Sequence, residues 1–271
     1  RWPSTISLQP PAARAPTQDL WSDCEVVAVI FRYRGLVLTH PKMCKKSVSL
    51  QTDVPGERIF LDLSKVKVIC DDGSQFVIDR SNWKLLVDDA TGKKWSDFTT
   101  TKSGMVERTC EWMNVRNKTD HRIQCIRMDP AGENHKLAKR LQSAEWAPSL
   151  QPVKIEFTSK ESPQHNSKAE VGFPRIGGRA RAMMGAAHIP PAVRGKVAIE
   201  ALKCATQLDG LVVVELAGKF AMRDEHFYGA PPKWAGKLRV FGEAGVVKQG
   251  KNGKLGDRGD SMMFVGYPFN R

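Results

Sequence analysis

The alternation of strand-like and helical segments after about residue 55 constrains the fold of this chain most strongly. ERIFLDLSKVKVI, NWKLLVDDATG and KKWSDFTTT are typical of strands, whereas KSGMVERTCEWMNVRNKTD carries apolar residues at helical spacing. HRIQCIRMD and VKIEFT predict two further strands, and ENHKLAKRLQSAEW between them predicts a helix. Three strands, a helix, a strand, a helix, a strand and a long helix predict an α/β core built on a mixed sheet.

Two helical stretches and a β-rich tail follow this core. The stretches NSKAEVGFPRIGGRARAMMGAAHI and PAVRGKVAIEALKCATQL are separated by Pro190-Pro191. Pro174 and Gly177-Gly178 predict a weakened first helix, because a proline ring clashes with the carbonyl four residues earlier. The tail KLRVFGEAGVVKQGKNGKLGDRGDSMMFVGY is typical of short strands joined by Gly-rich turns. We therefore expect a small C-terminal β module.

The composition of the ends suggests three regions. Residues 1–23 are rich in Pro, Ala and Ser and predict a linker or arm, followed by two short strand-like runs around Arg34-Gly35. The six cysteines include no C-x-x-C pair, so we expect reduced thiols in an intracellular compartment. We predict an N-terminal arm over residues 1–52, an α/β core over residues 53–207, and a linker with the β module over residues 208–271.

The charge of the chain favours a polyanionic partner. The sequence has 42 Lys and Arg against 29 Asp and Glu, which gives a formal net charge of +13. Such an excess favours nucleic acid or an acidic membrane surface. No apolar run approaches the roughly 18 residues that a membrane span needs, so we do not expect membrane insertion.

Six basic residues are predicted to contact nucleic-acid phosphates. Four lie on or near the first long helix and two enter the C-terminal module: Lys168, Arg175, Arg179, Arg181, Lys237 and Arg239. Phosphate contacts from these side chains would give salt-dependent binding with little sequence preference. The alternative is a solvated basic face without a partner.

Three acids occupy positions where such a core would gather them. Asp62 lies inside the first strand, Asp129 ends the strand HRIQCIRMD, and Glu170 follows the turn SPQHN at the start of a helix. Converging carboxylates repel one another unless cations neutralise them, and two Mg²⁺ ions bound by carboxylates can clamp a phosphoryl transfer. The alternative is an edge-strand acid, a turn former and a helix-start charge with no shared role.

The ordered set of segments resembles the integrase region of a copia-type (Pseudoviridae-like) LTR-retrotransposon polyprotein. The matching pieces cover residues 53–267: GERIFLDLS, LLVDDATGKKWSDF, IRMDPAGENHKL, FTSKESPQHNSKAEVGF, RARAMM, AIEALKCAT and LRVFGEAGVVKQGKNGKLGDRGDSMMFVGY. The resemblance implies a ribonuclease-H-like mixed-sheet core. It also implies a catalytic triad, Asp62, Asp129 and Glu170, that binds two divalent metal ions, Mg²⁺ or Mn²⁺.

The same resemblance implies an activity and a setting. Such an enzyme trims the 3′ ends of element DNA and joins them to target DNA, acting as a homo-oligomer on paired ends. It works inside the cell, in the nucleus or in a cytoplasmic virus-like particle, and it has no membrane partner. Since the chain begins at Arg1, we expect it to be a piece of a longer polyprotein.

The sequence also departs from the family's pattern. A zinc-binding segment with paired His and paired Cys normally precedes the core, but only His40, Cys24 and Cys44 remain here. We expect residues 1–52 to be a degenerate or truncated remnant of that segment. Two hypotheses follow: an active integrase, favoured by the intact triad, or a decayed or repurposed fragment that binds nucleic acid without catalysis. A generic nuclease on the same fold is a third.

Overall fold

The computed structural model describes most of the chain beyond its first fifth. The described residues are 52–69, 75–117, 123–143, 146, 153–158, 166–248 and 259–268. They belong to one compact unit, Leu50–Arg271. The predicted N-terminal arm, the strand-like runs around Arg34-Gly35 and the zinc-segment remnant lie outside the described residues, as does most of the turn SPQHN.

The helices and strands follow the predicted order closely. In chain order they are β1 (Arg58–Lys65), β2 (Val68–Ile69), β3 (Gln75–Phe76), β4 (Asn82–Asp88), β5 (Lys94–Thr99), α1 (Gly104–Asn117), β6 (Cys125–Met128), α2 (Gly132–Gln142), β7 (Lys154–Phe157), α3 (Ser167–Ala186), α4 (Pro191–Asp209), β8 (Val213–Leu216), β9 (Lys219–Met222), α5 (Arg223–Tyr228), β10 (Ala244–Lys248) and β11 (Gly259–Met263). The sequence analysis did not predict α5.

A five-stranded mixed sheet forms the centre of the fold. Its strand order is β5-β4-β1-β6-β7. The pairs β1–β4 and β4–β5 are antiparallel, whereas β1–β6 and β6–β7 are parallel. The parallel pairs need helical crossovers, and α1 and α2 supply them. This arrangement confirms the predicted α/β class with a ribonuclease-H-like mixed sheet.

Helices cover both faces of the sheet, because alternate residues of β1 are apolar on each side. Ile59 and Leu61 pack with residues of α1 and α2 in one core cluster. Phe60 packs on the other face with Leu85, Val87 and Ala169 of α3. A third cluster joins α3 and α4 to the aromatic residues of β4 and β5. The sheet is thus the middle of three layers.

The helix α3 runs unbroken through Pro174 and Gly177-Gly178. Its buried residues recur every three or four positions and face the sheet and α4: Ala169, Gly172, Ile176, Ala180 and Met184. The weakening predicted from Pro174 therefore does not end the helix. Burial of this stripe offsets the backbone hydrogen bond that a proline cannot make.

Gly172 lets the backbone of α3 approach the sheet closely. A methyl group added at this position would lie 2.5 Å from Cδ2 of Leu85. Leu85 is fully buried in the middle of β4 and has no space to retreat into. The absence of a side chain at Gly172 consequently sets the distance between helix and sheet.

The C-terminal region carries the predicted β structure as two hairpins, β8–β9 and β10–β11. The amide of Gln207 donates to the Tyr267 carbonyl at 2.7 Å, and the Tyr267 N–H donates back to Gln207 at 3.1 Å. These bonds fasten the segment after β11 to α4. The helix α4 crosses the proposed limit between residues 207 and 208, and the division into three regions stays a prediction.

No helix in the described part of the chain is long and apolar enough to cross a membrane.

We predict that Gly172→Ala lowers the free energy of unfolding by about 1–3 kcal/mol, as overpacking of a close-packed site does. Gly185→Ala is the matched control in the same helix, because a methyl group there would meet nothing within 4 Å. It should be neutral or raise stability by up to about 1 kcal/mol. Urea denaturation of the two variants measures the difference, and equal effects would contradict the proposed close approach.

Candidate active site

The register of the sheet places Asp62 and Asp129 on the same face. The parallel pairing of β1 with β6 ends at the partners Phe60 and Arg127. Asp62 and Asp129 each lie two residues further along, and side chains two apart in an extended chain share a face. That face is the one covered by α3, since Phe60 packs against Ala169. Two acids far apart in sequence are therefore neighbours at one end of the sheet.

The first turn of α3 brings Glu170 to the same region. Asn166, which precedes the helix, is 3% exposed, and its amide donates a hydrogen bond to the Leu61 carbonyl at 3.3 Å. Ala169 is fully buried against the sheet. These two contacts hold the start of α3 beside the residue before Asp62. The last residue of the SPQHN turn thus anchors the helix that carries Glu170.

Among the described residues, no cation forms a salt bridge with Asp62. Burial and, to a smaller extent, the negative charges of Asp129 and Glu170 raise the pKa of Asp62 to about 6, although a hydrogen bond from the Leu63 N–H lowers it. That N–H donates to Asp62 Oδ1 at 2.7 Å. An acid whose charge is disfavoured by two neighbouring acids is poised to bind a cation.

Asp129 and Glu170 differ in how firmly they are held. The side-chain amide of Asn134 in α2 donates to Oδ1 of Asp129 and, at 3.1 Å, to its backbone carbonyl. Asn134 is buried in the first turn of α2, so this contact restrains the Asp129 carboxylate. Glu170 is exposed and forms no salt bridge to any residue that the structure describes. Its side chain is free to turn toward the two aspartates.

The three acids offer the oxygen ligands that hard divalent cations prefer. Within the described ranges, however, no three His, Cys, Asp or Glu side chains converge closely enough to hold a metal ion. The chemistry of the donor set fits Mg²⁺ or Mn²⁺, and the two aspartates share a face. A bound ion would require the exposed Glu170 side chain to approach them.

A fourth acid beside the site, Asp89, forms salt bridges with two cations. It accepts from Arg58 at 3.3 Å, and Lys168 donates both to its carboxylate and, at 2.7 Å, to its carbonyl. The Lys168 ammonium also lies 5.7 Å from the centre of the Phe60 ring. Lys168, predicted to contact DNA, is thus engaged by the protein. The sequence analysis did not predict this pairing, although the two adjacent acids Asp88 and Asp89 could have suggested a cationic partner.

A ladder of ion pairs continues along the same face across β6 and β7. Arg127 and Glu156 are register partners, and their side chains pair at 2.8 Å. Burial raises the pKa of Glu156, but hydrogen bonds from Lys154 and Arg127 outweigh it and bring the pKa down to about 2. The guanidinium of Arg127 lies 5.5 Å from the Phe60 ring centre. Arg127 therefore pairs with Glu156 and covers the Phe60 ring, and the sequence analysis did not single it out.

The other predicted DNA contacts have diverse surroundings. Arg175 and Arg181 are exposed on α3, and Lys237 is exposed between α5 and β10. Arg239 is 64% exposed in its side chain and pairs with Glu243 at 2.9 Å. Arg179 is turned inward and pairs with Asp209 at 2.9 Å. The assignment of these residues to DNA stays a prediction.

Asp209 at the end of α4 is the centre of a buried ion cluster. It pairs with Lys94 at 2.7 Å, with Arg179 at 2.9 Å and with Arg223. Burial raises the pKa of Asp209, but the positive charges of Lys94, Arg223 and Arg179 outweigh it and lower the pKa to about 2. This cluster ties α3, α4, β5 and α5 together, and sequence reasoning missed it because its members are distant along the chain.

Comparisons with known proteins give the following matches. No protein-family model and no curated protein matches this chain. Among solved structures, the simian T-cell lymphotropic virus intasome in complex with PP2A regulatory subunit B56 gamma matches at 13% identity and a TM-score of 0.48, over 79% of this chain and 70% of that chain.

The HTLV-2 integrase catalytic core domain in complex with magnesium matches in two forms. Its trimeric and dimeric forms give TM-scores of 0.43 and 0.41 at 13% identity. Each match covers 64% of this chain and 97% of that chain. At such identity and TM-scores these likenesses carry no argument about what this chain does.

We predict that Asp62→Asn stabilises the protein at neutral pH in the absence of divalent cations. Because the pKa of Asp62 is raised in the folded state to about 6, stability falls as the pH rises from about 4, the pKa in the unfolded chain, through about 6. Removing the carboxylate should raise the free energy of unfolding at pH 7 by roughly 1–3 kcal/mol. The gain should shrink to roughly 0.5 kcal/mol at pH 4, where Asp62 is protonated in the folded state and about half protonated in the unfolded chain.

Urea denaturation in EDTA at the two pH values measures this effect. Asp79→Asn, a substitution at an exposed aspartate, is the control and should change little at either pH. A destabilised Asp62→Asn variant at pH 7 would contradict the interpretation of Asp62 as an uncompensated acid.

We predict that Asp209→Asn destabilises the protein by about 3–5 kcal/mol, because the buried Lys94 and the partly buried Arg179 and Arg223 lose their common partner. The pKa of Asp209 is depressed to about 2, so the stability from its charge is present above about pH 4 and is lost as the pH falls toward 2. The variant should show a weaker acid dependence than the wild type. Glu243→Gln, which removes the exposed partner of Arg239, should cost under about 1 kcal/mol. Equal losses in the two variants would contradict the prediction.

Proposed function

We propose that this chain is the integrase of a copia-type retrotransposon, an enzyme that trims the 3′ ends of element DNA and joins them to target DNA. The observation that supports the proposal is that the sheet register and the seating of α3 bring Asp62, Asp129 and Glu170 into one region, close enough for the charges of the other two acids to raise the pKa of Asp62. The register of β1 and β6 aligns the two aspartates. The bond from Asn166 to Leu61 brings the start of α3 beside them.

The electrostatic surroundings support a metal-dependent role for these three acids. The buried acids Asp209 and Asp224 have cationic partners, Lys94 and Lys93. Asp62 instead faces two further acids. The three carboxylates would hold Mg²⁺ or Mn²⁺, which when bound lowers the pKa of an attacking hydroxyl and stabilises charge on the transferring phosphate. Asn134 would orient Asp129 during the reaction.

The basic residues would bring the DNA to the acids. Arg175 and Arg181 are exposed on the helix that carries Glu170, and Lys237 is exposed further along the chain. Side chains of this kind bind phosphates without reading the sequence. Lys168, Arg179 and Arg239 are paired with acids in this structure, and DNA phosphates would compete with those acids. We also propose that the active form is a homo-oligomer, acting in the nucleus or in a cytoplasmic virus-like particle.

The second candidate function is nucleic-acid binding by an integrase fragment that no longer catalyses strand transfer. The exposed side chain of Glu170, which forms no salt bridge to a described residue, favours it, since a metal site tolerates little misplacement of its ligands. The two candidates share the fold and the basic surface. They differ only in whether the three acids act together.

We predict that the full chain joins labelled duplex ends to a plasmid target in the presence of Mg²⁺ or Mn²⁺. Asp129→Asn should lower the joined product by about 100-fold or more, the cost typical of losing one group that stabilises transition-state charge. Asp79→Asn is the matched control and should leave the product unchanged. DNA binding measured by fluorescence anisotropy should be the same in all three proteins.

The possible outcomes separate the candidates. If Asp129→Asn leaves the amount of joined product unchanged, this would contradict a catalytic role for the acids. DNA cleavage without joining would indicate a nuclease. If no product forms, and if DNA binding is salt-sensitive and is the same in Asp129→Asn, the results would support the second candidate, a nucleic-acid-binding protein without catalysis.

A further inference from the structure

A cleft of about 370 Å³ lies apart from the three acids. Its walls come from the start of β5, the last turns of α4, α5 and the segment of residues 230–234, together with Arg116 at the end of α1 and Pro268. None of Asp62, Asp129 and Glu170 lines it. The volume is within the range of small-molecule sites, which is roughly 300–1,000 Å³. It is large enough for one nucleotide and too small for a base pair with its two backbones.

Aromatic rings form one part of the cleft wall. Trp234 lines the cleft and is stacked on Tyr267, with ring centres 4.2 Å apart and planes inclined by 12°. Trp95 donates its indole N–H to the Tyr228 hydroxyl at 3.1 Å, which orients both rings. These contacts hold the aromatic planes in fixed orientations before any ligand arrives. A fixed indole plane is a platform on which a flat base stacks.

Lysine side chains form the other part. The buried ammonium of Lys93 lies 5.9 Å from the ring centres of both Trp95 and Tyr228 and pairs with Asp224. Lys203 is 30% exposed in its side chain, and the Glu200 carboxylate lies 3.9 Å away, at the limit of an ion pair.

Lys233 is exposed beside Trp234 and forms no salt bridge to another described residue. Two lysines are thus available for an anion next to a fixed aromatic plane.

We propose that this cleft binds an unpaired nucleotide, with the base stacked on Trp234 and the phosphate held by Lys203 and Lys233. A simple anion would use the lysines but leave the aromatic wall unoccupied, and a neutral aromatic molecule would leave the lysines unused. A nucleotide satisfies both, as the nucleotides of a single strand do on basic, aromatic-lined grooves. The site does not depend on the three acids or on the proposed strand transfer.

The first test compares single-stranded and duplex DNA in EDTA, where metal-dependent chemistry is absent. Fluorescence anisotropy of the full chain with a labelled oligothymidylate should show a Kd raised about 5- to 150-fold by Trp234→Ala, the range for losing one stacked base. Trp234→Phe should keep most of the affinity. The Kd for a duplex hairpin should stay within about twofold, and Phe220→Ala, at an exposed ring outside the cleft, should change neither.

The second test concerns the lysines and does not perturb the aromatic stacking. Lys233→Gln and Lys203→Gln should each reduce the slope of log Kd against log salt by about 0.7 for the single strand. Lys196→Gln, at an exposed lysine of α4 outside the cleft, should leave the slope unchanged. Wild-type affinity and slope in both Trp234→Ala and Lys233→Gln would overturn the proposal. Equal losses for single strand and duplex would overturn it too.

Competition with free dAMP and with inorganic phosphate shows whether the cleft binds a free nucleotide or a nucleotide within a strand. Displacement of the oligonucleotide by dAMP, lost in Trp234→Ala, would support a free nucleotide as the ligand. Binding of the oligonucleotide that needs Trp234 but resists dAMP would support a nucleotide within a strand. If inorganic phosphate displaces the oligonucleotide as effectively as dAMP does, the base does not contribute to binding and the proposal is overturned. Because no arm measures joining, a failed strand-transfer assay leaves these results interpretable.

Discussion

The seating of α3 on the sheet is the contact on which the rest of the structure depends. Ala169 and Gly172 are buried against β1 and β4, and any side chain larger than hydrogen at Gly172 would collide with Leu85. This close approach fixes the rotation of α3, and with it the directions of the residues on its other faces. Glu170 is thereby held near the aspartates, and Arg179 is turned toward Asp209. A helix seated differently would separate the acids and uncouple α3 from α4.

The buried Asp209 and the partly buried Asp62 show how the same side chain acquires opposite electrostatic character. Asp209 has three cations around it, and their charges lower its pKa to about 2 in spite of burial. Asp62 has two acids near it, and burial raises its pKa to about 6. The first arrangement stabilises the fold without any ligand. The second is destabilising unless a cation is bound, which is the arrangement expected of a functional site.

The sequence predicted most of the sheet and of the helices, because strong apolar periodicity decides them. The strands around Asp62 and before Asp129 were located from alternation and from the turns that bound them, and the structure confirms both strands. Pro174 suggested a weakened helix, but α3 continues through it. Burial of the apolar residues of α3 outweighs the local preference against proline. The short α5 went unpredicted because six residues carry too little periodicity to distinguish a helix from a loop.

The surroundings of the site were beyond sequence reasoning. The pairs that Asp89 forms with Arg58 and Lys168, and the cluster around Asp209, join residues that only the folded sheet brings together. Spacing along the chain holds no signal for such contacts. The three acids were singled out by their positions in the predicted strands and helix, and the family resemblance gave them a shared role. The salt bridges of the neighbouring basic residues decide whether those side chains are available to DNA. They could be found only from the structure.

The most direct test of the central claim is a ¹³C NMR titration of the Asp62 carboxyl group in the full chain. Without divalent cations, the account predicts a pKa of about 6 that falls in Asp129→Asn and in Glu170→Gln, and that falls further on addition of Mg²⁺. A pKa near the ordinary value of about 4, unmoved by either substitution and by Mg²⁺, would contradict it. Such a result would mean that the three acids do not form a common cation site.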